Sequence, residues 1–308
     1  VPTSRAGSFT HSRAARECIW YHRGMKILID IGNSQTKWAV GETPAAIALC
    51  RVTATSRRAA PALAALRALA RYGKPSALVI GSVVPAVTAV VRAAARSLYP
   101  RTKIVVPRYR DFARRMPLAV VPRIEPGVDR LANALALHML HKAPACALDV
   151  GTAMTLEVVD RRGAFVGGAI LPGVALQYAA LAKGTAQVRV ARGSDGGMEG
   201  WMDGRKGSSK ISQSPTQKYR ILNKECRSAM PGRDTAGALA FGIQRGVQWA
   251  LAGLVRDVVQ ALGEPLRSVV VTGGGAEQLC AFLRAQGLAA TADGLLTLRG
   301  LMLIAEKL

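Results

Sequence analysis

Residues 26–40 read KILIDIGNSQTKWAV, and their pattern decides the architecture. An apolar, β-branched run from Lys26 to Ile31 meets the polar turn Gly32-Asn33-Ser34, and a second apolar segment follows at Trp38-Ala39-Val40. Run, glycine turn and run predict two antiparallel strands joined by a tight hairpin. The device recurs further along the chain. Residues 145–150 predict a strand that ends in Asp149-Val150-Gly151-Thr152, with a partner at 154–160 and a third strand from Ala164 into Gly167-Gly168. A duplicated hairpin with an acidic residue at each turn predicts two related lobes facing one another across a cleft.

Outward from these hairpins, helical spacing covers residues 57–72, 85–98, 128–142, 234–259 and 276–286, with Pro85 suited to a first helical turn. Short buried strands are expected at 77–80, 103–106 and 268–271, and a strand and closing helix after residue 289. The alternation is that of an α/β protein. The expected organisation is an N-terminal extension over 1–24 outside the fold, a first lobe over 25–122 and a second over 123–308. The second is interrupted at 193–228, where Gly, Ser, Lys and Asp dominate without a sustained period, the mark of a loop or disordered insertion.

With 308 residues, half of them hydrophobic, the chain is long enough to bury a large core, which excludes wholesale disorder. No segment reaches the run of about 18 apolar residues that spans a bilayer, so a soluble protein without membrane partners is expected. The formal charge of +23 would attract nucleic acid or polyanionic metabolites. Its arginines are dispersed, however, and aromatic residues that could stack on bases make up only 5%, so a nucleic-acid footprint is not favoured. The five cysteines are scattered and form no CxxC pair, which argues against a disulfide scaffold or zinc site and fits a reducing cytoplasm.

A glycine turn after a strand exposes backbone N–H groups and lets phosphate approach closely. In the first hairpin, the backbone at Gly32 and the side chains of Asn33, Ser34, Thr36 and Lys37 can surround phosphate, while Asp30 can hold Mg²⁺ through water. In the second, Gly151 and Thr152 offer another clamp, with Asp149 as a second acidic ligand. A third cluster, Thr272-Gly273-Gly274-Gly275, supplies a flat backbone wall for a purine. Singly such turns are common hairpin features; together they fit a nucleotide cleft. Between the lobes, Gly127-Val128-Asp129-Arg130 precedes the helix at 128–142. Asp129 reads either as a helix N-cap or as a general base toward an alcohol attacking the γ-phosphate, with Arg130 paired to a substrate anion. His138 and His141 read as a surface or partly buried pair rather than metal ligands, and Trp38, Trp249 and Met139 as core residues. Arg161-Arg162 beside Gly163 reads as a solvated hairpin turn.

The ordered set DIGNSQTK, GVDR with LANALAL, DVGTAMT, GGAILPG, DTAGALAFG and TGGG resembles the type III pantothenate kinases of the sugar kinase/Hsp70/actin superfamily, from Met25 to the last helix. The resemblance implies two ribonuclease H-like lobes with a cleft, as in actin-like ATPases. It implies transfer of the ATP γ-phosphate to the 4′-hydroxyl of pantothenate, the first step of coenzyme A synthesis. It further implies a homodimer that uses Mg²⁺ and a monovalent cation, K⁺ or NH₄⁺. By motif match, Asp30, Ile31, Gly32, Asn33, Ser34, Gln35, Thr36 and Lys37 resemble the first phosphate loop, and Gly151, Thr152, Gly273 and Gly274 further ATP contacts. Gly127, Val128, Asp129 and Arg130 resemble the pantothenate segment, with Asp129 as proton acceptor. Asp149 resembles the aspartate associated with the monovalent cation. Gly167, Gly168, Pro172 and Gly173 resemble the loop walling the substrate, and Thr235 a threonine that reaches pantothenate from the neighbouring subunit.

Two departures stand out. Ala119-Val120-Val121-Pro122-Arg123 lacks the aromatic residue usual before the GxDR motif, and the insertion at 193–228 falls where relatives are shorter. The rival readings are a nucleic-acid-associated regulatory protein on the same fold, similar to the Bvg accessory factor, and an inactive paralogue. Retention of Asp30, Asp129, Asp149 and Thr152 speaks against a pure nucleic-acid binder, whose affinity needs none of these carboxylates.

Overall fold

The computed structural model describes residues 24–120, 125–185 and 231–306. The expected N-terminal extension, apart from Gly24, and the insertion at 193–228 lie outside the described residues. The first hairpin forms as its pattern requires: β1 (Lys26–Ile31) pairs antiparallel with β2 (Gln35–Thr43), which sets Asp30 opposite Lys37. β3 (Ala46–Ala54) adds to the outer side of β2, while β4 (Ala77–Ser82) and β5 (Lys103–Val105) continue in parallel beyond β1. The helices α1 (Ala59–Leu69) and α2 (Pro85–Leu98) connect them, and Pro85 takes the first helical position, where its missing N–H has no partner to lose.

After α3 (Tyr109–Ala113) and α4 (Val128–Leu140), the second sheet is built from β6 (Ala145–Val150), β7 (Ala153–Val159), β8 (Phe165–Pro172), β9 (Ser268–Gly273) and β10 (Ala290–Ala292). α5 (Val174–Gly184) follows β8, α6 (Thr235–Leu262) leads into β9, α7 (Ala276–Ala285) joins β9 to β10, and α8 (Leu296–Ala305) closes the chain. The first sheet is ordered β3-β2-β1-β4-β5 and the second β10-β9-β6-β7-β8. Counted along the chain within each sheet, both orders are third, second, first, fourth, fifth, so the duplicated hairpin marks a duplicated sheet.

Three cores hold the layers together. One face of the first sheet packs under α1 and α2 through Ile27, Ile29, Trp38, Leu66 and Val91. The outer face of the second sheet packs under α6 and α7 through Leu148, Leu156, Leu251, Val255 and Leu279. Between the sheets, α4 and α8 are shared: Leu28 and Val79 of the first and Ala147 and Val270 of the second lie in one cluster with Leu131, Leu135, Leu301 and Met302. Burial of so many large apolar side chains, each worth roughly 1.5–3 kcal/mol, makes this central layer the main tie between the sheets. α8 packs on α4 and on β1, β2 and β4, so a helix far along the chain completes the core of the first sheet.

Two core assignments from the sequence are corrected. Trp38 is buried, but Trp249 is half exposed, with its ring edge against Phe282 of α7. The buried stripe of α6 is Ile243, Val247, Leu251 and Val255, spaced by four, and Trp249 lies two residues off it, on the far side of the helix. Met139 is also exposed, because the buried face of α4 ends at Leu137. β3, α3 and α5 are further elements not expected from the sequence, and β8 runs on past the expected Gly167-Gly168 to Pro172. Among the described residues no helix is long and apolar enough to cross a membrane.

Candidate active site

β1 and β6 are the central strands of their sheets, and each carries an aspartate at its penultimate position, Asp30 and Asp149. The carboxyl ends of central strands are where open α/β sheets place their ligands. Lys37 faces Asp30 across the first hairpin, with Nζ 3.6 Å from Oδ2 and both side chains largely shielded. Asp30, Asp129 and Asp149 converge closely enough to feel one another. Burial pushes Asp30 up to about 6, with Asp149 and Asp129 adding to the rise and Lys37 opposing it. Burial likewise raises Asp149, against the pull of Lys37 and of a hydrogen bond from Asn133. Burial also raises Asp129, opposed by the Arg130 backbone N–H, the Arg130 guanidinium and Lys37.

Asp129 is not the N-cap of α4. That place belongs to Gly127, and Asp129 stands in the first turn, where its Oδ1 accepts the Arg130 backbone N–H at 2.8 Å. The same carboxylate folds back over Gly127, which lies against Val83 just beyond β4, so Asp129 faces the end of the first sheet from a helix of the central layer. Arg130 turns toward the second sheet, its Nε 3.0 Å from Glu157 Oε1 on β7.

The two glycine hairpins meet directly. Thr152 donates to Ser34 Oγ at 2.7 Å. Gly32 is fixed from below, its N–H donating to the Gln35 carbonyl and its own carbonyl accepting from Thr55 Oγ1. Thr36 is buried and shares a hydrogen bond with Thr55 just beyond β3, so its hydroxyl is engaged within the first sheet. The TGGG turn closes on the second hairpin: Gly274 N–H donates to the Val150 carbonyl, and Thr272 pairs with Asp149 in the ladder. Gly273 has φ +91, and a side chain there would press on the Val150 carbonyl and sit 2.8 Å from Asp149 Oδ1, so the position requires glycine twice over. Gly151, Thr152 and Gly173 pack together through the Gly173 N–H to Thr152 carbonyl bond, and Gly168 runs beside the Arg130 guanidinium. Ile31 is a buried core residue of β1, while Asn33 at the turn is exposed.

One expected residue stands apart. Thr235 is exposed at the start of α6, capped by Asp234, and among the described residues no hydrogen bond links it to the carboxylate cluster. Residues 121–124, including most of the stretch that lacks the usual aromatic, lie outside the described residues. His138 and His141 are half-buried at the end of α4, and among the described residues no three His, Cys, Asp or Glu side chains cluster as a metal site. Asn133 and Glu157, both buried and both polar, are not among the residues expected from the sequence. Their signal was available, since each interrupts an apolar run, LANALAL and MTLEVV.

The family model described as type III pantothenate kinase matches residues 26–202. The type III pantothenate kinase of Rhodospirillum rubrum is 31% identical over 291 residues, covering 92% of this chain and 98% of the relative. That of Paramagnetospirillum magneticum is 31% identical over 296 residues, covering 92% and 97%. Among solved structures, a ROK family glucokinase from Streptomyces griseus in complex with glucose and AMPPNP superposes with a TM-score of 0.50 at 13% identity, covering 92% of this chain and all of that one. That likeness concerns the fold alone, two lobes of the actin-like ATPase kind. With more than half of its length inside the family model and a relative above 30% identity matched almost end to end, this chain belongs to the type III pantothenate kinase family.

Proposed function

We propose that this protein is a cytoplasmic pantothenate kinase that transfers the γ-phosphoryl group of ATP to the 4′-hydroxyl of pantothenate, the first step of coenzyme A synthesis. The observation that carries this reading is the convergence of Asp129 with Asp30, Lys37 and Asp149 at the strand ends, in a chain of this family. The hairpin at residues 30–37 and the turn at Gly151-Thr152 cradle the phosphates, with Lys37 as the fixed cation, and Gly273-Gly274 wall the nucleotide. Asp129, with Gly127, Val128 and Arg130, receives the acceptor. Its carboxylate orients the hydroxyl and takes its proton as the bond from oxygen to phosphorus forms and the bond to ADP breaks. Burial raises Asp129 and makes it a better proton acceptor than an exposed aspartate. Phosphoryl transfer asks little more of a protein than positioning and charge stabilisation.

The donor set suits cations. Three shielded carboxylates face Lys37, and the nearest other cation, Arg130, is already engaged by Glu157. Asp30 is the residue that would hold Mg²⁺ through water. When bound, it would neutralise phosphate charge. Asp149 with the neighbouring Val150 carbonyl offers the all-oxygen surroundings that suit K⁺ or NH₄⁺.

The active form in this reading is a homodimer. The edge strand β8 and the helix after it expose Val166, Ile170, Leu176 and Leu181, an apolar face on an edge that, among the described residues, is paired only at Phe165 by Leu118, which calls for a cover. A second copy there would explain why Thr235 stands apart from the site within one chain. The test is a coupled assay of purified protein with pantothenate, Mg-ATP and K⁺. ADP release that depends on pantothenate is expected. Its absence, with salt-sensitive retention on DNA, would replace this reading by the nucleic-acid one.

A further inference from the structure

We propose that Glu157, backed by Asn133, is the positioning residue that holds Arg130 in the orientation needed to bind the carboxylate of the acceptor. The inference rests on the pantothenate kinase reading above and adds to it a residue outside both glycine turns: Glu157, on β7, acts through Arg130.

Among the described residues Glu157 is the sole acidic side chain in the buried core, with no exposed surface. A carboxylate taken out of water is costly unless paired and hydrogen-bonded. Both conditions are met. Arg130 Nε donates to Oε1 at 3.0 Å, and Asn133 Nδ2 donates to Oε2 at 3.4 Å. Asn133 is itself fixed, because its Oδ1 accepts from Thr297 Oγ1 at 2.9 Å on α8. The support therefore passes from the closing helix through α4 to β7 and back to the first turn of α4, where Arg130 follows Asp129.

The guanidinium is held on several sides. Nη2 points to the Leu156 carbonyl at 3.4 Å, and the group lies 5.9 Å from the centre of the Phe165 ring. Gly168, on the strand next to β7, leaves it room: a side chain there would come within 3.2 Å of Nη2. Among the described residues Nη1 meets no acceptor, while the side chain keeps 16% of its surface exposed. A planar donor group fixed along one edge and free at another is prepared for an anion, with its ordering cost already met by the fold. Pantothenate has one ionised group, its carboxylate, remote from the hydroxyl that reacts. Stability alone does not require this arrangement, since buried ion pairs are commonly replaced by apolar residues without loss.

The test compares E157M, E157Q, E157D, R130M and the double variant R130M/E157M with the intact chain, in steady-state kinetics that separate pantothenate from Mg-ATP. E157M is expected to raise KM for pantothenate at least tenfold and to leave KM for ATP within twofold. E157Q, whose amide oxygen can still accept from Nε, is expected to restore KM for pantothenate to within threefold. In the R130M background E157M is expected to add nothing. E157D keeps the charge but draws the acceptor back by one methylene, so a smaller rise confined to pantothenate is expected, which decides the matter if E157M does not fold. Equal rises in both KM values, an additive effect on R130M, or an unchanged KM for pantothenate in E157D would overturn the role of Glu157. A parent protein that turns over no pantothenate would instead overturn the functional reading itself, and this inference with it.

Discussion

Thr152 donates a 2.7 Å hydrogen bond to Ser34 across 118 residues of sequence, so the turns of the two hairpins are tied together where the sheets face each other. The bond joins hydroxyls on the two loops assigned to phosphate, and nucleotide binding must act on both. T152V removes the hydroxyl at nearly constant volume. A net hydrogen bond is worth about 0.5–1.5 kcal/mol, so KM for ATP should rise roughly two- to tenfold. S34A should do the same, and the double variant should be no worse than either single one. Unchanged KM for ATP in both single variants would remove the pair from the nucleotide site.

Asp129 is expected to act on the proton and not on the nucleotide. D129N should lower kcat by roughly 10²–10⁴-fold, the usual contribution of a general base. Calorimetric affinity for a non-hydrolysable ATP analogue should stay within about twofold, since the phosphate contacts lie elsewhere. Loss of nucleotide affinity in proportion to kcat would reassign Asp129 to binding.

Burial pushes Glu157 up to about 7, against the opposing ion pair with Arg130. A carboxylate with a raised folded-state pKa binds a proton more tightly in the folded chain than in the unfolded one. Its stabilising contribution is full below the ordinary carboxylate range and is lost as pH rises through about 7. E157Q cannot titrate. The melting temperature of the parent minus that of E157Q should therefore shrink between pH 5 and 8; a difference that grows over that interval would show the ion pair dominating burial.

Ile170 is the most exposed large apolar residue on β8, at 65%. I170D should leave the monomer folded by circular dichroism, because the side chain packs against nothing in its own chain's core. Light scattering should report loss of the dimer at micromolar concentration, and turnover should fall with it. A dimer that persists unchanged would place the interface elsewhere.

The hairpins and their acidic turns were legible because each is local: Asp30 and Lys37 are register partners seven residues apart, and the polar turn between them sets that register. Pro85 announced its helix for the same reason. What the sequence did not reveal depends on which side of an element meets the core. The period of α6 shows a stripe without saying that Val247 and Leu251 lie beneath it while Trp249 faces away. The edge strand β3 carries exposed Leu49 and Val52, so its alternation gives little sign of an inside. Glu157 was the hardest to read, because a charged residue in an apolar strand normally points to solvent, and its partners Arg130 and Asn133 come from a helix preceding it in the chain.

The placement of α8 bears on how the protein is made. The strands β1, β2 and β4 precede the helix α8 that covers their inner face by a long stretch of chain and leave a ribosome well before it. Contacts so distant along the chain form late and against a large loss of chain freedom. Until Leu296–Ala305 is released, Leu28, Ala39 and Val79 lack part of their cover, and the nascent first sheet carries an adhesive flank.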